Sequence, residues 1–209
     1  MYRHLPLRLF HALLFCLAIG STVCLAEEKK TWGIPLKPDP PTAVDGDLGE
    51  WAAMPNAIEI DSKEQVVWGA DSWDSVEDMH GTVQLAWRRE YLFIAARVVD
   101  DKLCQSQRGA DIWKGDHVEV HIDALPDLEP NRQSYGKGQF QFAFSPGNFR
   151  RTGNTLGDCP AEAYCFRPEG QAVKGVLVAS KRTPRGWNLE AAILWSLLGV
   201  TPAKGTFLV

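Results

Sequence analysis

Three carboxylates and a tryptophan fall within eight residues, "VDGDLGEW", at positions 44–51. Asp45, Asp47 and Glu50 could offer oxygen ligands, and the glycines permit a tight turn. Calcium takes about six to eight oxygens, so these side chains with backbone carbonyls are compatible with a calcium site. The competing interpretation, which the sequence favours, is a turn that starts the fold by burying Trp51. A catalytic acid cluster is disfavoured, because three acids on one turn have no pocket.

Two histidines and a glutamate alternate in "HVEVH". On a strand, His117, Glu119 and His121 would project to one face. Imidazole and carboxylate groups bind transition metals, but successive residues on one face of a strand lie about 6.6–7 Å apart, a long reach for three ligands. We therefore interpret these residues mainly as a polar face or the lining of a groove.

The tryptophans divide by their surroundings. Four occur in phase with apolar neighbours or in an apolar turn and are predicted to be core residues: Trp51, Trp87, Trp187 and Trp195. Three others have the glycine, serine and aspartate neighbours of loops: Trp68, Trp73 and Trp113. An exposed aromatic face offers a large apolar area at little entropic cost. We predict that these three indoles contact a ligand, Trp73 first.

The elements that must position these residues have a period of two. Apolar residues alternate with polar ones along six segments: residues 81–87, 91–99, 115–123, 138–145, 173–180 and 186–193. Long polar stretches, 102–114 and 146–170, indicate loops. Many short strands with one apolar face each, and almost no helix, predict an all-β antiparallel β-sandwich of jelly-roll or immunoglobulin-like type.

The polar positions on these strands share a composition. Opposite the core, the alternation places arginine, histidine, glutamate, glutamine and asparagine but no lysine, at Arg97, His117, Glu119, His121, Gln139, Gln141, Asn188 and Glu190. Such groups bond in fixed directions, as hydroxyl-rich ligands require. We predict that they form one patch, in which Arg97, Glu119 and the two glutamines contact the ligand, with Glu77 from a loop. An ordinary solvated face, and for Glu77 a solvated loop acid, is the alternative.

The first 26 residues are typical of a secretory signal peptide, with Arg3 and Arg8 before a 15-residue apolar run that ends at "CLA". That run is too short for a membrane anchor, so a secreted, periplasmic or cell-surface location is predicted. Residues 27–40 are predicted to be a proline-rich linker.

Charge and cysteine content restrict the partners further. Without the leader, 20 basic and 26 acidic residues give a net charge of −6, which disfavours nucleic acid as a partner. A disulfide between Cys159 and Cys165 is predicted, with three free thiols, Cys104 included, as the alternative. The sequence indicates no organic cofactor and no particular oligomeric state.

Four segments together resemble carbohydrate-binding module family 9, among the DOMON-like sandwiches: "VDGDLGEW", "VQLAWRREYLFIAARVVDDKL", "WKGDHVEVHIDA" and "GWNLEAAILWSLLG". The resemblance covers residues 41–209. It implies a noncatalytic sandwich that binds plant-type or microbial-type polysaccharide or its oligosaccharides, and often calcium. Members of the family continue into a further strand and loop, so we expect residues 41–209 to lack the last strand.

Two other functions remain open at this stage. One is hydrolysis of glycosides, by a linked domain or by a carboxylate pair such as Glu119 and Glu190, although the chain has no GxSxG or HExxH motif. The other is haem-based electron transfer, for which the candidate axial ligands are Met54, Met79, His80 and His117.

Overall fold

The computed structural model describes residues 33–37, 43–128, 133–149, 159–168 and 174–206, all within one compact unit, Trp32–Val209. Strands dominate this part of the chain. They are β1 (Ile58–Ile60), β2 (Met79–Trp87), β3 (Tyr91–Asp100), β4 (Val118–Asp123), β5 (Gln139–Ser145), β6 (Glu162–Arg167), β7 (Val176–Thr183) and β8 (Gly186–Leu194).

The strands form two antiparallel sheets. A five-stranded sheet has the order β1-β2-β3-β8-β7, and a three-stranded sheet has the order β4-β5-β6. Among the described residues, helical structure consists of four 3₁₀ segments and one α-helical turn: Gly49–Trp51, Lys63–Gln65, Ala70–Ser72, Gly109–Lys114 and α1 (Trp195–Leu198). In the described part of the chain, no helix is long and apolar enough to cross a membrane.

One apolar core lies between the sheets. The five-stranded sheet supplies every second residue of β3 and β8, and the three-stranded sheet supplies Phe140, Phe142 and Phe144 of β5. Burial of the leucine, isoleucine and phenylalanine side chains among them stabilises the layers by roughly 1.5–3 kcal/mol each. The predicted all-β antiparallel sandwich is confirmed.

A second apolar cluster covers part of the outer face of the five-stranded sheet. Trp51, fully buried, packs there with Phe93 and Leu48. The segment 33–37 joins the same sheet through a parallel bridge between Leu36 and Trp87. The turn that contains Trp51 is therefore a lid on one sheet, formed by a 3₁₀ helix and not by a first strand.

Two strands lie where the sequence did not predict them. β1 is a three-residue edge strand, and β6 falls inside the predicted loop 146–170. In β6, Cys165 and Ala163 face the core while Tyr164 and Phe166 alternate with them. Apolar and aromatic residues on both faces conceal the alternation, which explains why β6 was missed.

The predicted disulfide is wrong in this structure, where Cys104, Cys159 and Cys165 are free thiols. β6 extends the chain from Glu162 to Cys165, at about 3.3 Å per residue. Cys165 is thereby carried away from Cys159 to the core, where its Sγ donates to the carbonyl of Arg167 at 3.1 Å. Burial raises the pKa of the Cys165 thiol.

The predicted signal peptide, residues 1–26, lies outside the described residues, as does most of the predicted linker 27–40. Both remain predictions, and so does the absence of a last strand.

Candidate functional site

The polar residues predicted to share one surface lie on two. Each occupies an outer position, but Arg97, Asn188 and Glu190 belong to the five-stranded sheet, whereas Glu119, Gln139 and Gln141 belong to the three-stranded sheet. The two outer faces point to opposite sides of a sandwich. The prediction of a single patch is wrong. The alternation of apolar and polar residues shows which face of its own strand a residue occupies, but it does not show which sheet the strand joins.

The outer face of the three-stranded sheet collects a dense set of hydrogen-bonding side chains, which we call the β4–β6 face. Its rows follow the strand register: Glu119 lies opposite Ala143, which lies opposite Tyr164, and His121 lies opposite Gln141, which lies opposite Arg167. Ala143 is fully buried, whereas Glu119, His121 and Arg167 are exposed.

Glu119 lies at the centre of these contacts. Its two carboxylate oxygens lie 3.4 Å from Nε2 of His117 and 3.2 Å from Nε2 of His121. The amide of Gln141 donates to the same carboxylate. Two imidazole rings and one amide restrict the position of this carboxylate, yet its side chain keeps 28% of its surface exposed. It can therefore accept hydrogen bonds from a ligand without a conformational change.

Tyr135, from the loop before β5, borders the same group. Its hydroxyl is hydrogen-bonded to Nδ1 of His121. Desolvation, and secondly the negative charge of Glu119, raise the pKa of the Tyr135 phenol, while Arg167 acts in the opposite direction. The hydroxyl thus remains protonated at neutral pH, and it is linked through His121 to the carboxylate of Glu119.

Two cavities adjoin Tyr135. One, of about 400 Å³, is lined by His121, Asp123 and Gln139 among others. The other, of about 700 Å³, reaches α1 and is lined by Lys137 and Arg167. In the first, the amide of Gln139 donates to Asp123 at 2.8 Å, so both side chains are held in place.

The segment Gly109–Lys114 brings a tryptophan to this side of the molecule. It contacts β5 and β6, and Glu162 of β6 anchors it by accepting a hydrogen bond from the Gly109 amide at 3.1 Å. Its Ile112 is fully buried, while Trp113 is 55% exposed. An exposed indole therefore lies on a helix fixed to the three-stranded sheet, directly before β4.

The other predicted contacts lie with the five-stranded sheet. Trp68 is 92% exposed, and Trp73 is half-buried with its indole nitrogen donating to the carbonyl of Met79 at 2.7 Å. Glu77 accepts a hydrogen bond from the hydroxyl of Ser75, and this bond lowers the pKa of the Glu77 carboxyl. Arg97 lies exposed on β3 opposite Thr82. These four residues do not join Glu119.

Residues 45–50 form a turn that buries Trp51, which is the interpretation that the sequence favoured over a calcium site. Asp45 accepts from the Asp47 amide at 2.7 Å, Asp47 accepts from the Gly49 amide at 3.0 Å, and Lys181 lies 3.1 Å from Asp47. Glu50 lies 3.7 Å from the ammonium of Lys37 instead. The three carboxylates are thus directed to two lysines and, as placed, do not fit one calcium ion. Among the described residues, no group of three or more ligating side chains is arranged to hold a metal.

The candidate hydrolytic pair is separated. Glu190 is fully buried, bonded to Lys37 at 2.7 Å and to the indole nitrogen of Trp51 at 3.1 Å. It lies on the sheet opposite that of Glu119, so the two carboxylates cannot flank one glycosidic bond. This pair therefore cannot carry out the glycoside hydrolysis that the sequence left open as an alternative.

The candidate haem ligands are also divided between sheets. Met54 packs with the Trp51 cluster, and Nδ1 of His80 is hydrogen-bonded to the carbonyl of Val76. His117 precedes β4 on the other sheet, bonded to Gly115 and Glu119. Consecutive strand residues Met79 and His80 point to opposite sides, so this set provides no opposed axial pair.

Sequence reasoning missed Tyr135, Tyr164, Phe166 and Arg167. Tyr164 and Phe166 have their ring centroids 4.9 Å apart and form an aromatic pair on the β4–β6 face. Their spacing in "AYCFR", on either side of a core cysteine, was a usable signal. It was lost because the segment was interpreted as a disulfide loop.

The family model described as "Carbohydrate family 9 binding domain-like" matches residues 44–208. The chain belongs to this family. The search of curated proteins finds no match for the domain.

A solved family 9 carbohydrate-binding module from Caldicellulosiruptor kristjanssonii, in complex with cellotriose, superposes on the family 9 domain with a TM-score of 0.58 at 16% sequence identity. The match covers 84% of this chain and 71% of that one. A second match, a module from the same organism in complex with glucose, has a TM-score of 0.47 at 20% identity and covers 66% of this chain and 58% of that one. At this identity, the first match establishes a shared fold.

Proposed function

We propose that this family 9 domain is a noncatalytic carbohydrate-binding module whose ligand lies on the β4–β6 face. The observation that carries the proposal is the exposed carboxylate of Glu119, fixed by His117, His121 and Gln141 on one outer face. Family membership and the cellotriose bound by the structurally similar module support the choice of ligand class.

The face has the two kinds of group that a saccharide needs. Sugar hydroxyls bond to directional donors and acceptors, here Glu119, Gln141 and the phenol of Tyr135. The C–H faces of the rings pack against aromatic surface, here Trp113 and the tyrosine–phenylalanine pair of β6. Binding needs no ionisable nucleophile, so this set is sufficient for recognition without catalysis.

If the ligand lies on the β4–β6 face, substitution of the central carboxylate, Glu119, should lower the affinity for the sugar. Glu119→Gln keeps the shape but replaces one acceptor oxygen with a donor. A hydrogen bond to a charged group contributes about 1.5–3 kcal/mol, so we expect affinity for cellotriose to fall about tenfold or more. Isothermal titration calorimetry on the purified chain measures this directly, with xylotriose as a second ligand.

Matched variants separate the two candidate faces. Trp113→Ala and Glu119→Gln probe the β4–β6 face, whereas Trp68→Ala and Glu77→Gln remove an exposed indole and a loop acid from the opposite sheet. We expect the first pair to weaken binding and the second pair to change it less than about twofold. The reverse result would move the site to the five-stranded sheet, and no binding of either sugar would refute the proposal.

The wider setting of the domain is also a proposal. An apolar leader supports export, and association with a glycoside hydrolase on the same or another chain fits a module that binds polysaccharide. Calcium at Asp45, Asp47 and Glu50 remains a prediction from the sequence. It would require these carboxylates to leave Lys37 and Lys181, and no step of binding depends on it.

A further inference from the structure

The two histidines beside Glu119 have different partners at Nδ1. Nδ1 of His117 lies 2.7 Å from the carbonyl oxygen of Gly115, whereas Nδ1 of His121 is hydrogen-bonded to the hydroxyl of Tyr135. A carbonyl oxygen only accepts hydrogen bonds, so Nδ1 of His117 must carry a hydrogen. A phenol donates as well as accepts, so Nδ1 of His121 has no such requirement.

These partners determine which ring nitrogen holds the single hydrogen of a neutral imidazole. His121 accepts from Tyr135 at Nδ1 and donates from Nε2 to Glu119, 3.2 Å away, so both contacts are satisfied without a positive charge. Neutral His117 keeps its hydrogen at Nδ1 and directs a bare Nε2 at Glu119, 3.4 Å away. Both contacts of His117 are hydrogen bonds only in the imidazolium form.

The carbonyl that holds His117 is itself fixed by the backbone. It belongs to the same planar peptide unit as the amide of Asp116, and that amide donates to the carbonyl of Cys104 at 3.0 Å. The amide of Gly115 donates to the carbonyl of Ile112 at 3.2 Å. A Cβ at residue 115 would lie 2.5 Å from the Cys104 oxygen, so the chain packs closely here. The difference between the two histidines is therefore built into the fold.

Loss of the proton from Nε2 of His117 leaves two acceptors facing each other. The bare nitrogen and a carboxylate oxygen of Glu119 lie 3.4 Å apart, and the two side chains keep 20% and 28% of their surfaces exposed. Two acceptors side by side require two donors, and neighbouring hydroxyls of a pyranose ring supply them. The proton and the sugar thus compete for the same lone pairs.

We infer that His117 is a sugar-binding residue in its neutral form, and that two neighbouring hydroxyls of the saccharide replace the Nε2 proton, which passes to solvent. This role rests on the proposed function and deepens it, because it names the atoms and the protonation state that bind. Histidine changes its charge between about pH 5 and 8. Since the ligand selects the form with one proton fewer, affinity should rise with pH over that range, and binding should release protons.

Other titratable groups near His117 are distinguished by variants. Asp116 precedes it and interacts with it electrostatically, and Asp100, the last residue of β3, faces Asp116. His121, bonded to Tyr135 and to the other carboxylate oxygen, keeps both contacts in either protonation state. Asp116→Asn and His121→Gln should therefore both retain the rise of affinity with pH, the second at a lower affinity throughout.

Calorimetry with cellotriose on the purified chain tests the coupling. We expect affinity to increase about fivefold or more between about pH 5.5 and 8, which is an ordinary size for coupling between two ligands. At about pH 6, the observed enthalpy should differ between phosphate and bis-tris buffers, because the buffer takes up the released proton. His117→Gln should reduce the pH dependence to less than about twofold, whereas His80→Gln, on β2 of the other sheet, should leave it intact.

Nitrogen-15 spectra of the free protein test the premise without any ligand. At about pH 8, the ring of His117 should hold its hydrogen at Nδ1 and the ring of His121 at Nε2. A hydrogen at Nε2 of neutral His117, an affinity that is constant or falls as pH rises, or a pH dependence that persists in His117→Gln overturns this inference alone. Cellotriose that fails to bind at every pH refutes the proposed function and this inference with it.

Discussion

At the residue scale, Asp116 is a carboxyl placed where its charged form is disfavoured. Desolvation raises its pKa above the ordinary value, and neighbouring Asp100 adds to the rise, whereas a hydrogen bond from the Cys104 amide opposes it. A raised folded pKa means that the folded state binds the proton more tightly than the unfolded state. The charged carboxylate therefore costs stability at neutral pH, and that cost disappears as pH falls through the folded pKa.

Asp116→Asn should remove this cost, because the asparagine side chain is uncharged but keeps an oxygen that accepts the hydrogen bond from the Cys104 amide. We expect the melting temperature at pH 7 to rise by about 2–4 °C, equivalent to roughly 1 kcal/mol for a domain of this size. The difference between wild type and variant should shrink as pH approaches about 4. Differential scanning calorimetry at several pH values measures it. A variant that is equally destabilised at every pH would show that the hydrogen bond outweighs the desolvation.

At the element scale, the segment 33–37 is held by a buried ion pair. Lys37 is 1% exposed, its ammonium lies 2.7 Å from Glu190, and it stacks 4.6 Å from the ring of Trp51. Lys37→Met would leave the carboxylate of Glu190 buried without its cation. Breaking such a pair from one side costs about 3–5 kcal/mol, so urea denaturation should show a large loss of stability.

The ion pair on the Gly109–Lys114 segment provides the control. Lys114 lies 2.8 Å from Asp111, nearly the same distance as in the buried pair, but both side chains are about half exposed. Lys114→Met should cost less than about 1 kcal/mol. The double variant Lys37→Met with Glu190→Gln should recover part of the loss, because the remaining side chain is neutral. Equal costs at the two lysines would contradict this account.

Elements with one polar and one apolar face were predictable, and those without were not. β5 was evident because Phe140, Phe142 and Phe144 alternate with polar residues. β6 was not, because Tyr164 and Phe166 place aromatic rings on its outer face. The second apolar cluster, under Trp51, could not be predicted from periodicity either. The turn that covers β3 is distant in sequence, so the residue pattern of β3 itself does not indicate that its outer face is covered.

At the scale of the whole molecule, the assignment of strands to sheets decides the site. Glu119, Gln139 and Gln141 were predicted as ligand contacts and lie on the three-stranded sheet, and Trp113 lies on the 3₁₀ segment that contacts it. Arg97 has the same local signature, polar and opposite the core, yet belongs to β3 of the other sheet. Strand order depends on long-range pairing such as that of β3 with β8. Short-range pattern carries no information on that pairing.

A core shared by both sheets predicts that they unfold together. Phe142, fully buried on β5, stacks between Phe140 at 5.9 Å and Phe144 at 6.3 Å. Phe142→Ala removes a ring that both layers pack against and should cost about 3–5 kcal/mol. Far-ultraviolet circular dichroism and tryptophan fluorescence should shift to the same lower urea midpoint.

Leu177→Ala, a truncation at a side chain that is 48% exposed on β7, should cost less than about 0.5 kcal/mol. If the two signals separate in Phe142→Ala, the five-stranded sheet and its Trp51 lid remain folded without the three-stranded sheet, and the sandwich is not one cooperative unit.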